Sequence, residues 1–209
     1  MTKRCIHIIS LTDYAPELCE ITIPSIQAYA KRMDASINMI GSNRKFAEYP
    51  DTYERFQVFH DGRGFDWNFV VDANMLFGPS LGDFCAFASR ETIGTAMTYG
   101  ASSQFSVDNR FFGRDGRNIA PVQACILTSD WTHDLWEPFK GTAANILSCT
   151  TNEYAVAEYM MAYNIAKYGL KCNGIFPTNA QLLRVNPPDH LAKTALKMIH
   201  DRLETWSTQ

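Results

Sequence analysis

The sequence predicts an α/β fold in which a mixed, mostly parallel sheet is flanked by helices. Three observations carry this. Short apolar runs rich in β-branched residues, at 5–11, 37–40 and 67–71, each close on turn-forming residues, as buried strands do. Between them lie stretches whose apolar residues recur at helical spacing, and strands alternating with helices build parallel sheets covered on both faces. Finally, 209 residues, 46% hydrophobic and 12% aromatic, suffice for one sizeable core but not for two ordinary domains. A single domain over 1–209 is expected.

Taken in order, residues 5–11 form the first strand and end at Thr12-Asp13. Ile26, Tyr29, Ala30 and Met33 share one helical face, so a helix is expected from Pro24, which marks its start or a kink. Residues 37–40 make a second strand closed by Gly41-Ser42-Asn43, and 53–60 a second helix stopped by Asp61-Gly62-Arg63-Gly64. The run 67–71 is strongly strand-like and delivers Asp72 at its tip. Strands are also expected at 95–98 and 122–129, on either side of an irregular region around Phe111-Phe112-Gly113-Arg114-Asp115-Gly116. Asn152 as N-cap, Glu153 in the first turn and Gly169 past the end frame a helix over 153–168. A last amphipathic helix runs from about Asp189 through Leu191, Ala195, Ile199 and Leu203.

Composition excludes several classes of function. A net charge of −3 and a pI near 5.9 leave no basic stripe for duplex nucleic acid. No apolar run approaches the ~18 residues of a membrane span, and residues 1–7 pass from Lys3-Arg4 into a strand rather than a signal-peptide core. The six cysteines are scattered without a CxxC pair, which predicts free thiols in a reducing compartment. There is no N-x-S/T acceptor, and a cytoplasmic location is expected. The glycine turns at 61–64 and 113–116 have neither GxGxxG nor GxxxxGK[ST] spacing, which disfavours dinucleotide and P-loop chemistry.

Ligands of open α/β sheets collect at the carboxyl ends of the strands, so acidic strand tips carry the functional argument. In an extended backbone Asp72 and Asn74 project to the same side and offer two hard oxygens to a divalent ion such as Mn²⁺ or Mg²⁺, with water and phosphates completing the shell. An Asx cap after a buried strand is the alternative reading of the same residues. Asp130, at the end of 122–129, is a second acidic tip. Trp131, Trp136 and Phe139, with Pro138, form either an apolar lip for a sugar or part of the core, while His7 and His60 read as structural. A haloacid-dehalogenase-type phosphatase would need an acid two residues after the strand-end Asp, where this chain has Asn74.

In its wider pattern the chain resembles the GT-A glycosyltransferases, particularly the retaining branch that includes glycogenin and bacterial galactosyltransferases. Ser10-Leu11-Thr12-Asp13-Tyr14 looks like that family's uracil-cradling loop, Tyr53-Glu54-Arg55-Phe56 like its basic helix before the metal strand, and Asp72-Ala73-Asn74 like its DxD strand end. Residues 122–127 stand at the family's acceptor-side strand, with Gln123 among them, and Glu153 where an acid opens a helix near the reacting sugar. Small GT-A domains of this type also occur in the capsid-glycosylating enzymes of large algal viruses, which makes a viral protein one implied origin. The chain departs from the family in Asn74 for the second Asp, in lacking the acceptor-strand NSG, and in a weak counterpart, Asp189-His190-Leu191, to the C-terminal metal histidine.

The resemblance implies a metal-dependent transferase that moves a sugar from a nucleotide-diphosphate sugar, a UDP-hexose or UDP-deoxyhexose, to a glycan or glycoprotein. It assigns the nucleotide sugar to Leu11, Thr12, Tyr14, Arg55, Asp72, Ala73, Asn74 and Gln123, the metal to Asp72, Asn74 and His190, and the chemistry to Glu153 or Asp130. The nucleotide part would span about 1–85 and the acceptor side about 86–209, a short half in which the acceptor docks in an open groove or which further domains of a longer chain complete. Asn74 and the weak histidine motif keep open a noncatalytic sugar-nucleotide-binding or scaffolding domain.

Overall fold

The computed structural model describes residues 2–11, 16–41, 43–95, 125–148, 156–174, 182–184 and 192–207. Within these, six strands form one sheet in the order β2-β1-β3-β6-β5-β7. They are β1 (Arg4–Ile9), β2 (Ser36–Ile40), β3 (Trp67–Asp72), β5 (Thr92–Thr95), β6 (Cys125–Ser129) and β7 (Lys171–Gly174). Pairings β1 with β2, β1 with β3 and β5 with β7 are parallel, whereas β6 runs antiparallel to both β3 and β5. One reversed strand in an otherwise parallel set makes the sheet mixed and mostly parallel, as expected. Two short strands, β4 (Met75–Phe77) and β8 (Leu182–Arg184), pair antiparallel in a separate ribbon.

Period-2 alternation divides the central strands between two cores. Ile6, Ile8, Phe69, Val71, Cys125 and Leu127 pack with Ile26, Tyr29 and Ala30 of α1 (Pro16–Arg32). On the opposite face Ile9, Val70, Ile93 and Ile126 meet Tyr53, Phe56, Trp136 and the α5 helix (Val156–Tyr168) through Ala157 and Met160. A smaller cluster of Leu18, Leu76, Ile199 and Trp206 docks α6 (Ala192–Ser207) against α1.

Several elements differ from expectation for identifiable reasons. Helix α1 begins at Pro16, eight residues before Pro24. Pro16 suits a first helical position because its missing N–H has no partner to lose there. The buried set Leu18, Thr22, Ile26, Tyr29 and Ala30 keeps helical spacing straight through Pro24, and this packing outweighs the hydrogen bond that Pro24 cannot donate. The expected helix over 53–60 is a 3-10 helix, Asp51–Gln57, running into one turn of α2 (Val58–Asp61). Strand β5 starts three residues before the expected start at 95, residues 96–98 of that expected strand lie outside the described residues, and β6 is described from Cys125 onward. The helix α5 closes as expected: Gly169 takes φ 61° and the Leu170 amide donates to Ile165 O at 3.0 Å. Two further short helices, α3 (Phe84–Phe87) and α4 (Ala143–Leu147), and a second 3-10 helix, Asp130–Trp136, complete the described chain. Cys5, Cys85 and Cys172 are free thiols. No described helix is long and apolar enough to cross a membrane.

A polar chain crosses the sheet beside the second core. His7 is fully buried on β1; its Nε2 donates to Asn68 Oδ1 (2.9 Å), and its Nδ1 accepts from Asn38 Nδ2 (3.1 Å). Burial pushes the imidazole down from 6.5 to about 4, against the pull of Asn68 and Asp61 and with help from His133. Both ring nitrogens are satisfied by the neutral form, so protonation would set a second N–H against the Asn38 amide. The folded protein thus resists a proton that the unfolded chain takes up near pH 6.5. Stability from this group is complete above pH 6.5 and is lost as pH falls towards 4, by roughly 3 kcal/mol in all. Urea unfolding at several pH values should show that decline, and His7→Gln should flatten the curve between pH 6.5 and 4.

Candidate functional site

The carboxyl ends of β1, β2 and β3 lie side by side and frame the candidate site. At the tip of β3, Asp72 pairs in register with Ile9 of β1, and the next amide, Ala73 N, donates to Ile9 O at 2.9 Å. The backbone then turns at Ala73-Asn74 before β4 begins, so Asp72 and Asn74 are not successive same-face positions of an extended strand as expected. Asp72 keeps a fifth of its side chain in solvent, whereas Asn74 is buried. Helix α1 anchors this turn from below: the Thr22 hydroxyl donates to Ala73 O, and Ser25 Oγ accepts from Phe77 N at 3.0 Å. A rigid helix and the central strand therefore hold the Asp72-Ala73-Asn74 segment from two sides.

Arg55 reaches the same turn from the 3-10 helix. It is only 6% exposed, its Nε donates to Thr52 O (3.0 Å), and its Nη2 lies 3.5 Å from Asp72 Oδ1. It is thus a buried cation beside the strand-end carboxylate, not a surface ion-pair residue. The helix that carries it is tied down by its neighbour Glu54, which has no solvent exposure and accepts the backbone amides of Lys45 (2.9 Å) and Phe46 (3.0 Å). On the other side Gly41, with φ 143°, lets β2 pass against the Ser10-Leu11 peptide. Leu11 is partly buried against the second core.

Of the remaining residues singled out by sequence, Thr12, Tyr14, Gln123, Glu153 and His190 lie outside the described residues. Asp130 is described and sits elsewhere. Strand β6 is antiparallel, so its end, Ser129, pairs with Trp67 at the start of β3, and Asp130 N donates to Asp66 O at the end of the sheet opposite Asp72. The aromatic group divides: Trp136 is fully buried with its Nε1 donating to Thr128 Oγ1 (2.9 Å), Phe139 packs at the edge of the second core, and Trp131 is exposed.

Sequence reasoning missed Gly41, Thr22, Ser25 and Glu54. Gly41 carried a readable signal, a glycine directly after a strand, where the chain enters the loops at the carboxyl end of the sheet. Glu54 carried one too, an acid flanked by Tyr53 and Phe56 on what reads as an apolar face. Thr22 and Ser25 had none.

For a divalent ion, the donors near the turn are hard oxygens, the Asp72 carboxylate and the Asn74 amide, which suit Mg²⁺ or Mn²⁺ when a diphosphate and water supply the rest. Among the described residues no three His, Cys, Asp or Glu side chains gather as a metal cluster.

No protein-family model and no curated protein sequence matches the chain. Solved structures do. A glycosyltransferase involved in the glycosylation of the major capsid of PBCV-1 superposes with a TM-score of 0.57 at 8% identity, over 96% of this chain and 100% of that one. The galactosyltransferase LgtC, in complex with donor and acceptor sugar analogues, gives 0.52 at 12% identity over 95% of each chain. This chain has the GT-A glycosyltransferase fold. A third GT-A structure, a mutant of Drosophila β1,4-galactosyltransferase 7 in complex with manganese, UDP-Gal and xylobiose, gives 0.50 at 12% identity over 90% of this chain and 72% of that one. The fold expected from residues 10–14, 53–56 and 72–74 is therefore present, at a level of identity that shows the architecture alone.

Proposed function

We propose that the chain is a metal-dependent glycosyltransferase that takes a hexosyl or deoxyhexosyl unit from a UDP-sugar and delivers it to a hydroxyl of a glycan or glycoprotein. The observation that carries this reading is the buried Arg55 guanidinium beside Asp72 at the end of β3. Asp72 and Asn74 would hold Mn²⁺ or Mg²⁺, with His190 as the third ligand. When bound, the ion neutralises the charge that grows on the leaving diphosphate.

Arg55 adds a cation that costs no reorganisation, because its Nε is already committed to Thr52 O. The N–H groups on its Nη1 have no partner among the described residues and match phosphate oxygens in spacing. Burial at 6% exposure excludes water, which strengthens its field at the phosphate. Leu11, Thr12, Tyr14, Ala73 and Gln123 are the proposed contacts of the nucleotide sugar. Glu153 is the proposed group at the reacting carbon, with retention of configuration. Asp130 has no part in this reading, since it lies at the far end of the sheet.

The structures with manganese and UDP-Gal, and with donor and acceptor analogues, support the substrate class. The test is a melting scan with UDP and Mn²⁺, coupled to UDP release from a panel of UDP-sugars. Saturating UDP and Mn²⁺ should stabilise by about 3 kcal/mol at a hundredfold excess over Kd. Asp72→Ala should abolish both signals, and Arg55→Ala should slow UDP release by about 100-fold. Absence of any stabilisation, or donor binding that is unchanged in Asp72→Ala, sinks the proposal. Asn74, which removes a formal charge from the metal pair, favours a second reading, a sugar-nucleotide-binding domain without turnover; stabilisation by UDP with no UDP release would select it.

A further inference from the structure

The chain has four tryptophans, and three are buried: Trp67, Trp136 and Trp206 are 7%, 0% and 3% exposed. Trp131 is 61% exposed and stands at the end of the sheet opposite Asp72, about 17 Å away along β3 alone. It is rigidly mounted. Ser129 Oγ accepts from Trp131 N at 3.0 Å and forms a capping box with Thr132, while the same hydroxyl donates to Arg90 O. The Arg90 guanidinium lies 5.7 Å from the Trp131 ring centroid and is clamped by two carboxylates, Asp130 (Nη2 at 2.6 Å, Nε at 3.1 Å) and Asp66 (Nη2 at 3.3 Å).

We propose that Trp131, Arg90 and Asp130 form a second, noncatalytic saccharide-binding subsite that takes a neutral pyranose ring. The clamp uses Nε and Nη2 of Arg90 and only Oδ1 of Asp130. Among the described residues the two N–H groups on Arg90 Nη1 and the Asp130 Oδ2 acceptor have no partner, and both side chains are about two-fifths exposed. A donor and an acceptor beside an open aromatic face complement a sugar, whose C–H face is apolar and whose neighbouring hydroxyls both give and accept hydrogen bonds. The charges decide the class further. The Arg90 charge is compensated by Asp130 and Asp66, and Lys3 also acts on Asp66, so the patch holds no spare cation to draw phosphates, nucleotides or uronic acids, whereas a neutral sugar needs none. The subsite rests on its own geometry and does not require the transfer chemistry proposed for Asp72.

Because the other three tryptophans are buried, a ligand-dependent emission change reports on Trp131. Titrating the protein with xylobiose, lactose and maltose should give a saturable change in the millimolar range for at least one of them, with none for the open-chain polyol sorbitol. Saturation-transfer NMR should show the same sugar's ring protons in contact with the wild-type protein, and Trp131→Ala should remove that signal while keeping the melting temperature. Asp72→Ala should leave it intact, which separates this subsite from the donor site. No saturable change with any of the sugars, a transfer signal that survives Trp131→Ala, or emission that responds to protein concentration instead of sugar, as contact with a second copy would produce, overturns the proposal.

Discussion

Replacing Gly41 by alanine is expected to lower stability by about 4 kcal/mol and the melting temperature by roughly 10 °C. The cause is local and geometric. At φ 143° the backbone of Gly41 crosses the end of β1 so closely that a Cβ would stand 1.8 Å from Ser10 O and 2.6 Å from Ser10 C. Those atoms are backbone and cannot rotate away. Ser10 is itself held, its amide donating to Ile40 O at 2.8 Å, so relief requires the ends of β1 and β2 to part. Gly64 provides the comparison. It also has a positive φ, 88°, but a Cβ there would meet nothing within 4 Å, and Gly64→Ala should cost only the backbone term of about 1 kcal/mol. Equal melting temperatures for the two variants would show that the close approach at Ser10 does not constrain the fold. Since Ser10-Leu11 leads into the loop expected to hold the base, Gly41→Ala should also weaken UDP-dependent stabilisation where Gly64→Ala does not.

The core of the fold was legible because it is written in apolar runs. β1 and β3 are buried on both faces, so apolar residues fill their buried positions apart from His7 and Asn68, and a strand is the short element that fits. The same reasoning could not supply the direction of β6, since one apolar pentapeptide reads alike in either sense; that direction decides that Asp130 sits away from Asp72. The strands of three and four residues, β4, β5, β7 and β8, are too short to show a period and exist through pairing. Pro24 misled for a different reason. Local propensity places a boundary there, and the buried stripe from Leu18 to Ala30 overrides it.

The candidate site was legible where chemistry is carried by residue type. Asp72 announces itself as an acid after an apolar strand, and Arg55 as a lone cation among aromatics. Their contact across 17 positions of sequence was not derivable, because it depends on how the 3-10 helix docks on the sheet. The supports of the site were hidden for the same reason: Thr22 and Ser25 are ordinary helix residues until α1 lies under the Ala73-Asn74 turn.

Glu54→Ala should be as costly as the glycine change, about 3–5 kcal/mol, and should disable the site as well. A carboxylate with no exposure is tolerated only when its lone pairs are filled, and here four donors fill them. Oε1 accepts Phe46 N (3.0 Å) and Arg44 Nε (3.3 Å), and Oε2 accepts Lys45 N (2.9 Å) and Gln57 Nε2 (2.7 Å). Gln57 also donates to Asn43 O at 2.9 Å, so the residues following β2 are stapled to the 3-10 helix along several bonds. Removing the carboxylate leaves two backbone amides and one N–H of the buried Gln57 amide without acceptors, and alanine offers them nothing. Glu54→Gln replaces one acceptor by a donor that faces donors, so it should recover less than half of the loss. Arg44→Ala, which removes a partner whose side chain is 36% exposed, should cost about 1 kcal/mol. Denaturant midpoints of the three variants should fall in that order. Arg55 is the next residue on the same helix, and its grip on Asp72 depends on the helix staying docked. Glu54→Ala should therefore reduce UDP-dependent stabilisation even at temperatures where the variant is fully folded, and an unchanged UDP response there would show that Arg55 is positioned by Thr52 alone.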